Sequence, residues 1–339
     1  MPKKKALITG ISGQDGAYLA KLLLEKNYNV VGGERQNANR NLWRLKKLQI
    51  EKEIKIIPFE MLEENNINKV VRDEKFNEIY NLAAQSFVDK SFISPVYTSN
   101  VNSLGVTRLL EAIRHYSKKT KLYQASSSEM FGNTLSKYQE EKTYFQPLSP
   151  YAISKLYSHW MLNLYREAYN LFCCSGILFN HDSPLRGKEF VAKKIVHDLA
   201  QVKFKIIPCL KVGNIYVRRD WGYAADYVEA MWKMLQHSRP DDYVISSGIN
   251  HSIKSFISKV AKYYGFNIFW KGKGVNEQAI DKLTGKTIVK IDKKFFRPTE
   301  VNKTYGNPKK AKRILKWKPA TGLDELVKIM CDEELGQYL

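Results

Sequence analysis

The stretch ALITGISGQDGAYLAKLLLEKN, residues 6–27, decides the fold. It starts with an apolar run typical of a buried strand and continues, after its glycines, with the apolar spacing of a helix. Between the two lies the pattern Gly10-x-x-Gly13-x-x-Gly16. Gly10 permits a tight turn, Gly13 lets backbone N–H groups approach a pyrophosphate, and Gly16 lets the helix pack on the sheet. Because a helix N-terminus adds partial positive charge, the stretch predicts a dinucleotide-binding turn.

Further along the chain, apolar runs continue to alternate with helical patterns. The runs are YNVVGG, IKIIPFE, EIYNLAA, KLYQASSSE and FCCSGILF. This alternation predicts an α/β fold with a doubly wound parallel sheet of the Rossmann type. We expect a dinucleotide-binding domain over 1–180 plus about 210–250, and a smaller C-terminal substrate-binding lobe over about 181–209 plus 251–339.

The composition narrows the class of protein. The 339 residues suffice for one large or two moderate domains. No apolar run reaches the length of a membrane span, and the start lacks a signal peptide, so we expect a cytoplasmic protein without a membrane partner. The four cysteines have no metal-ligand spacing, so we assign no metal.

The formal net charge of +21 would suit a nucleic-acid binder or a protein with anionic ligands. The lysines are spread over the chain, however, and no helix-turn-helix, RNA-binding aromatic signature or zinc module accompanies them. This distribution favours solvated surface lysines first and an anionic small-molecule substrate second. We expect no nucleic-acid partner, and the alternative is a nucleotide-binding scaffold protein that its charge attaches to nucleic acid.

The choice of dinucleotide depends on the end of the second strand, GGERQN at residues 32–37. An acidic residue that binds a ribose 2′-hydroxyl is expected at about this distance from the glycines. Arg35 is positioned to meet a 2′-phosphate, which favours NADP over NAD. Glu34 could serve the NAD role, so NAD remains the alternative.

SPYAISK, residues 149–155, carries a candidate pair of reacting groups. Tyr151 and Lys155 are four residues apart at the start of a long helix and therefore share a face. A cationic Lys155 would lower the pKa of the Tyr151 phenol from about 10 towards neutrality, which would make it a usable base for a hydroxyl proton. The alternative is a solvent-exposed Tyr–Lys pair that takes part in no reaction. Because the chain also carries the dinucleotide-binding turn, this alternative is the weaker interpretation.

QASSSEMFG, residues 124–132, follows the fifth strand, whose C-terminal end lies where open α/β sheets bind ligands. Alternation along an extended chain places Ser127 and Glu129 on the same face. Ser127 can hydrogen-bond a substrate hydroxyl beside Tyr151. Glu129 could remove a proton from the carbon next to a new ketone, which a simple dehydrogenase does not need; the alternative is a carboxylate that caps a neighbouring helix.

Longer blocks match a known family over nearly the whole chain. These are NLAAQSFVDKSFISPVYT, YQASSSEMFG, SPYAISKLYSHW, GILFNHDSPLRGKEFVAKKI, GNIYVRRDWGYAADYVEAMW and FRPTEVNKTYGNPKKAKRILKWKP. On these blocks the chain resembles the extended short-chain dehydrogenase/reductases and, within them, the GDP-mannose 4,6-dehydratases. NHDSP, RRDWG and FRPTEV are typical of this subfamily rather than of the fold.

The resemblance implies a lyase that converts a GDP-hexose to the GDP-4-keto-6-deoxy sugar in three steps. Hydride passes from hexose C4 to NADP⁺ as Tyr151 takes the O4 proton, with Ser127 as a hydrogen-bond donor to O4. Glu129 then removes the C5 proton while the C6 hydroxyl leaves as water, and hydride returns to C6. A homodimer or homotetramer is implied as well. A nucleotide-sugar epimerase or reductase of the same fold is the alternative.

The resemblance, together with the glycine turn, also assigns binding residues. For the dinucleotide they are Gly10, Ser12, Gly13, Gln14, Asp15, Gly16, Arg35, Glu60, Met61, Leu82, Ala83, Ala84, Tyr151 and Lys155. For the GDP-sugar they are Ser86, Phe87, Ser127, Asn180, Val191, Lys194, Gly213, Arg219, Arg297 and Glu300.

Some positions depart from the family pattern. Ser128 stands where deoxythymidine-diphosphate-glucose dehydratases usually have Asp, which favours a GDP-sugar. Phe87 replaces a histidine, Leu185 replaces the first of two arginines, and the cofactor loop RRSS reads RQNA at residues 35–38. These changes alter the polarity of the pocket, so GDP-heptose and GDP-N-acetylglucosamine stand beside GDP-mannose as candidate substrates.

Overall fold

The computed structural model describes residues 3–35 and 41–338, in which strands and helices alternate as the sequence predicts. The strands are β1 Lys5–Thr9, β2 Asn29–Glu34, β3 Lys55–Pro58, β4 Glu78–Asn81, β5 Lys121–Ser127, β6 Cys173–Leu178, β7 Asn180–Asp182, β8 Leu210–Val212, β9 Arg218–Tyr223, β10 Asp242–Ile245, β11 Asn250–Ser252, β12 Ile268–Lys271, β13 Gln278–Asp281 and β14 Thr287–Ile291. The helices are α1 Gln14–Glu25, α2 Trp43–Lys47, α3 Glu64–Glu74, α4 Val88–Ile93, α5 Pro95–Ser99, α6 Gly105–Tyr116, α7 Pro150–Tyr169, α8 Val191–Lys203, α9 Ala224–Gln236, α10 Ile253–Tyr263, α11 Lys309–Ile314 and α12 Leu323–Leu335.

The large sheet has seven parallel strands in the order β10-β6-β5-β4-β1-β2-β3. The strand order reverses beside β1, which pairs with β2 on one side and with β4 on the other. In open α/β sheets, ligands bind at such a reversal, outside the carboxyl ends of the strands. The prediction of a doubly wound parallel sheet is therefore confirmed.

Both faces of this sheet are covered. Along β1, Ala6 and Ile8 join a core with residues of α1 and α9, whereas Leu7 joins a core with residues of α3, α6 and α7. Successive side chains of a strand point to opposite faces, so a strand buried on both sides reads as a continuous apolar run. This explains why ALI, at residues 6–8, has no polar alternation.

Two smaller sheets follow the large one. Strands β11, β9 and β7 form one, and β12, β13, β14 and β8 form the other. A separate core joins the four-stranded sheet to α8, α10 and α12. Only Phe179 separates β6 from β7, so the chain passes directly from the large sheet into the smaller ones. The division of the chain into two domains stays a prediction.

Helices in the described ranges include none that is both long and apolar enough to cross a membrane.

Candidate active site

The glycine turn between β1 and α1 has room for backbone only. Gly10 adopts the left-handed region with φ +68°, and a Cβ there would lie 3.0 Å from the backbone of Ala83. A Cβ on Gly16 would lie 2.5 Å from the Gly10 carbonyl oxygen. Gly13 is the N-cap of α1 and has no side chain with which to cap it, so among the described residues the N–H groups of the first turn stay available to an anion. The turn therefore fits the pyrophosphate of a dinucleotide.

The side chains of this turn hold the neighbouring strand β7. Asp15 Oδ2 lies 2.8 Å from His181 Nε2, and His181 Nδ1 lies 2.7 Å from the Phe179 carbonyl oxygen. Both ring nitrogens meet acceptors, an arrangement that favours the imidazolium form. Burial opposes a positive charge on His181, but Asp15 outweighs burial and raises the pKa of His181. Burial opposes the charge on Asp15, but His181 outweighs it and lowers the pKa of Asp15 to about 2. Gln14 adds a hydrogen bond from Nε2 to the His181 carbonyl oxygen at 3.2 Å.

A cavity of about 280 Å³ opens at the carboxyl edge of the large sheet and is closed on its other side by the smaller sheets. All four residues assigned to catalysis and all ten assigned to the sugar line it: Ser86, Phe87, Ser127, Glu129, Tyr151, Lys155, Asn180, Val191, Lys194, Gly213, Arg219, Arg297 and Glu300. Asp15, Leu82 and Ala84 of the dinucleotide set line it too. The structure thus brings together residues that are up to 285 positions apart in the sequence, from Asp15 to Glu300.

The start of α7 positions the tyrosine and the lysine. Ser149 caps this helix by accepting a hydrogen bond from Ala152 N at 3.1 Å. One turn of helix then places Lys155 Nζ 5.9 Å from the centre of the Tyr151 ring. Lys155 Nζ donates to the Ala125 carbonyl oxygen of β5 at 2.9 Å. The reacting pair is therefore attached to both a helix and a strand.

The proton affinities of this pair differ from the sequence-based expectation. Burial raises the pKa of Tyr151 to about 12, although a hydrogen bond with Ser127 acts in the opposite direction. Burial also lowers the pKa of Lys155 to about 8. In the protein alone, Lys155 therefore does not lower the pKa of Tyr151 towards 7. The Lys155 ammonium is bonded to the Ala125 carbonyl and lies too far from the phenol to outweigh its desolvation.

Ser127 and Glu129 reach the cavity by a different route from the one predicted. β5 ends at Ser127, and residues 128–131 form a 3₁₀ turn. Ser127 Oγ accepts a hydrogen bond from Glu129 N at 3.2 Å, as an N-cap does. The expectation that strand alternation places the two on one face is thus wrong, because the strand ends first. The capped turn still brings both side chains to the cavity wall.

Two arginines form the opposite wall, each paired with carboxylates. Arg219 Nη2 donates to Glu300 Oε1 at 2.8 Å, and Arg297 Nε lies 2.7 Å from Asp89 Oδ1. Arg297 Nη1 is 3.8 Å from the same Glu300 oxygen. Burial would lower the pKa of Arg297, but Glu129, Asp89 and Glu300 together raise it.

Sequence reasoning missed several residues that line the cavity. Phe190 packs edge-to-face against Phe87 with ring centres 5.8 Å apart, and the Arg186 guanidinium lies 3.5 Å from the Phe190 ring centre. Asp89 and His181 were also not assigned. All four lie within the quoted family blocks, and a signal was present for Asp89, a carboxylate two residues after the unusual Phe87.

Other assigned residues lie outside the cavity wall. Arg35 Nη1 donates to the Tyr97 hydroxyl at 3.1 Å. The Met61 side chain is buried in the core, and its carbonyl oxygen accepts a hydrogen bond from Arg108 Nη1 at 3.1 Å. Glu60 N donates to Asn66 Oδ1 at 2.9 Å. The altered loop Gln36–Ala38 lies outside the described residues.

Comparison with known proteins adds an independent result. A family model described as GDP-mannose 4,6 dehydratase matches residues 7–330. The GDP-mannose 4,6 dehydratase of Homo sapiens is 44% identical over 337 residues, which cover 97% of this chain and 91% of that protein. GDP-mannose 4,6 dehydratase 1 of Arabidopsis thaliana is 45% identical over 344 residues, which cover 98% of this chain and 90% of that protein.

Solved structures agree on the fold. A dTDP-glucose 4,6-dehydratase from Bacillus anthracis in complex with NAD has a TM-score of 0.81 at 19% identity, covering 98% of this chain and 97% of that one. RMD from Pseudomonas aeruginosa complexed with NADPH has a TM-score of 0.76 at 19% identity, and the match covers 98% of this chain and 100% of that one. With the family model matching almost end to end, the chain belongs to the GDP-mannose 4,6-dehydratase family.

Proposed function

We propose that this chain is a lyase that converts GDP-mannose to GDP-4-keto-6-deoxymannose with loss of water. Family membership over nearly the whole chain supports the substrate. The observation that carries the reaction is the meeting of Ser127, Glu129, Tyr151 and Lys155 in one cavity. Glu129 is the group that a simple dehydrogenase would not need.

The cofactor that we propose is NADP, held by the glycine turn and by Arg35. The backbone-only space at Gly10 and Gly16 supports a dinucleotide there, and two similar structures contain NAD and NADPH. Arg35 lies just beyond the end of β2, where a 2′-phosphate would meet it. When bound, the nicotinamide supplies a reversible hydride acceptor.

Tyr151 and Ser127 are the groups that we assign to the hexose O4. Tyr151 takes the O4 proton, and Ser127 donates a hydrogen bond to the same oxygen. Because burial raises the pKa of Tyr151 to about 12, this phenol keeps its proton until positive charge comes closer. Lys155 carries the positive charge that the chain itself provides.

Glu129 carries out the step that defines a dehydratase. The C5–H bond becomes acidic once C4 is a ketone, and the Glu129 carboxylate takes that proton. The electron pair forms the C5–C6 double bond and expels the C6 hydroxyl. Glu129 then gives the proton to the departing oxygen, which leaves as water, and returns to its carboxylate form.

Arg219 and Arg297 are the groups that we assign to the diphosphate. Each guanidinium keeps N–H groups that are not used by Glu300 or Asp89, and a guanidinium binds phosphate oxygens in a bidentate manner. Lys194, on α8, lies on the same side and adds a third cation.

We also infer a homodimer formed through α7. Ile153, Tyr157, Trp160 and Leu164 form a stripe at helical spacing, and Ile153 and Trp160 are 57% and 58% exposed. An apolar stripe without charges fits a second copy of itself across a twofold axis. Sedimentation of the wild type should give a dimer or a larger even assembly, and Trp160→Glu should shift it to monomer; a monomeric wild type would contradict the inference.

The reaction is tested by mass spectrometry of GDP-mannose, GDP-heptose and GDP-N-acetylglucosamine after incubation with catalytic NADP⁺. Loss of one water from GDP-mannose supports the proposal. Loss of water from GDP-heptose or GDP-N-acetylglucosamine alone would replace GDP-mannose as the assigned substrate. A stereoisomer, or stoichiometric consumption of NADPH, would replace the dehydratase by an epimerase or a reductase.

A further inference from the structure

Arg44, a residue of α2, joins the glycine turn to the loop 183–190 that follows β7. Its Nη1 donates to the Ser12 carbonyl oxygen at 2.9 Å, and its Nε donates to the Leu185 carbonyl oxygen at 2.7 Å. One planar guanidinium therefore bonds to the backbone of two segments that are far apart in the sequence. The proposed reaction assigns no task to this arginine.

On the side of the turn, the hydrogen bond from Arg44 fixes one peptide group. The Ser12 carbonyl and the Gly13 N–H belong to the same planar peptide and point in opposite directions. Gly13 N donates to the Gly10 carbonyl oxygen at 3.0 Å, inside the turn. The peptide is thus bonded on both sides, and the backbone of the turn is kept in one orientation.

On the side of the loop, the bonded residue directly precedes residues of the cavity wall. The Leu185 side chain is buried in the same core as Leu45 of α2, so packing and the Arg44 hydrogen bond attach it to one helix. The loop residues that then line the cavity are Arg186, Glu189 and Phe190. A shift of the Leu185 carbonyl would therefore move part of the cavity wall.

Carboxylates of both segments stabilise the bridging cation. Burial lowers the pKa of Arg44 and Arg186 adds to this, whereas Glu189 of the loop and Asp15 of α1 act in the opposite direction. The centre of the Trp43 ring lies 4.5 Å from the Arg44 Cζ and covers part of the guanidinium. The bridge is thus a partly desolvated, charged group between the two segments.

We propose that Arg44 is a positioning residue that couples the dinucleotide site to the GDP-sugar side of the cavity, so that each ligand strengthens the binding of the other. A ligand that fixes the turn also fixes the guanidinium and, through it, the loop. The second ligand then meets a segment that is already ordered, and its binding costs less conformational entropy. Such coupling is reciprocal. The inference rests on the two proposed ligand sites.

A second contact also joins α1 to the loop. Ser183 Oγ donates to Gln14 Oε1 at 2.7 Å. This contact is the same in wild type and in variants of Arg44. A difference in coupling between them therefore measures the contribution of Arg44 alone.

The test is calorimetric titration of the nucleotide-free full chain with GDP-mannose, with and without saturating NADPH. NADPH cannot accept hydride from the sugar, so neither ligand is consumed. The measured quantity is the coupling factor, which is the ratio of the two GDP-mannose dissociation constants. We expect a factor of about 10 for the wild type, and titration of NADPH with and without GDP-mannose should give the same factor.

Two variants remove the bridge to different extents. Arg44→Met keeps an unbranched apolar stem and removes the guanidinium, and its coupling factor should fall to about 2 or less. Arg44→Lys keeps the charge, but an ammonium lacks the fork that bonds both carbonyls. It should lose most of the coupling while each ligand alone binds within about 3-fold of wild type. Lys46→Met changes a mostly exposed cation of the same helix and is the matched control that should keep the wild-type factor.

Loss of the coupling factor in both Arg44 variants, with each ligand alone still bound, supports the proposal. A wild-type factor near 1, or an Arg44→Lys variant that keeps the wild-type factor, overturns it. Weakening of each ligand alone by as much as the pair would overturn it too, because Arg44 would then stabilise the fold rather than couple the sites.

The titrations are repeated with GDP-heptose and GDP-N-acetylglucosamine, so the outcome does not depend on the identity of the sugar. Water loss is assayed separately. A chain that shows the coupling but removes no water from any of the three sugars would contradict the proposed function alone. Absence of binding for all three sugars would contradict both the proposed function and the coupling.

Discussion

The two walls of the cavity hold their functional side chains by different physical means. On the large-sheet side, Tyr151 and Lys155 are buried, and the Lys155 ammonium donates to a carbonyl rather than to a carboxylate. Burial therefore dominates and moves both pKa values, that of Tyr151 to about 12 and that of Lys155 to about 8. Each shift favours the neutral form.

On the other wall, charges are paired. Arg219 is only 5% exposed, yet it donates to Glu300, and Arg297 lies against Asp89. The carboxylates outweigh burial and raise the pKa of Arg297, so these groups stay charged. The difference separates two tasks: one wall tunes groups that exchange protons, and the other fixes groups that bind anions. Changes on the first wall should affect kcat, and changes on the second should affect KM.

Glu129→Gln should produce the largest effect. The variant keeps the shape of the side chain but cannot take the C5 proton, so we expect kcat for water loss to fall about 10⁴-fold. Nucleotide affinity, measured by calorimetry, should not change. Glu140→Gln, an exposed carboxylate outside the cavity, is the control. More than a tenth of the wild-type rate in Glu129→Gln would assign the C5 proton to another group.

Tyr151→Phe should come next, with kcat about 10³-fold lower and little change in KM, because the ring still fills its buried site. Tyr169→Phe is a matched control on the same helix, since this tyrosine is exposed and lies outside both the cavity and the apolar stripe. Steady-state rates of water loss measure both. Equal losses in the two variants would indicate damage to α7 rather than a lost base.

The sequence predicted those parts of the site that local geometry determines. Tyr151 and Lys155 share a face because helix spacing alone fixes positions i and i+4. Gly10 and Gly16 were predicted because a strand-turn-helix of this kind leaves room for backbone only. The parallel sheet likewise follows from continuous apolar runs between helices.

The remaining features depend on tertiary contacts that no local pattern contains. His181 meets Asp15 across 166 positions of sequence, and Asp89 meets Arg297 across the cavity. The pKa of Tyr151 depends on how deeply α7 is covered, which spacing cannot give. β5 ends at Ser127 because the Ser127 side chain caps the turn that follows. Serine occurs both in strands and as a cap, so the sequence alone does not show which of the two forms here.

Lys155→Met tests, through the free energy of unfolding, whether burial dominates on the large-sheet wall. The pKa of Lys155 is about 8 in the folded protein and 10.5 ordinarily. Between about pH 8 and pH 10.5, the unfolded chain therefore binds more protons at this group than the folded chain does. Stability from this group therefore rises as pH increases from about 8 to 10.5 and is lost as pH falls back. Wild type should gain up to about 3 kcal/mol over this range relative to the variant.

Urea unfolding at pH 8, 9 and 10 measures this difference, with Lys21→Met, an exposed lysine of α1, as the control that should show none. A difference between wild type and Lys155→Met that does not vary with pH would mean that Lys155 is not desolvated.

Arg219→Lys should have the smallest of these effects and tests the other wall. Lysine keeps the charge but cannot bond Glu300, the Val301 carbonyl oxygen and a phosphate together, as the Arg219 fork can. We expect KM for GDP-mannose to rise about 10-fold while kcat stays within about 2-fold. Arg239→Lys, outside the cavity, should leave both unchanged. If kcat falls and KM does not, the arginine acts on the reacting sugar, and the separation of tasks between the two walls is wrong.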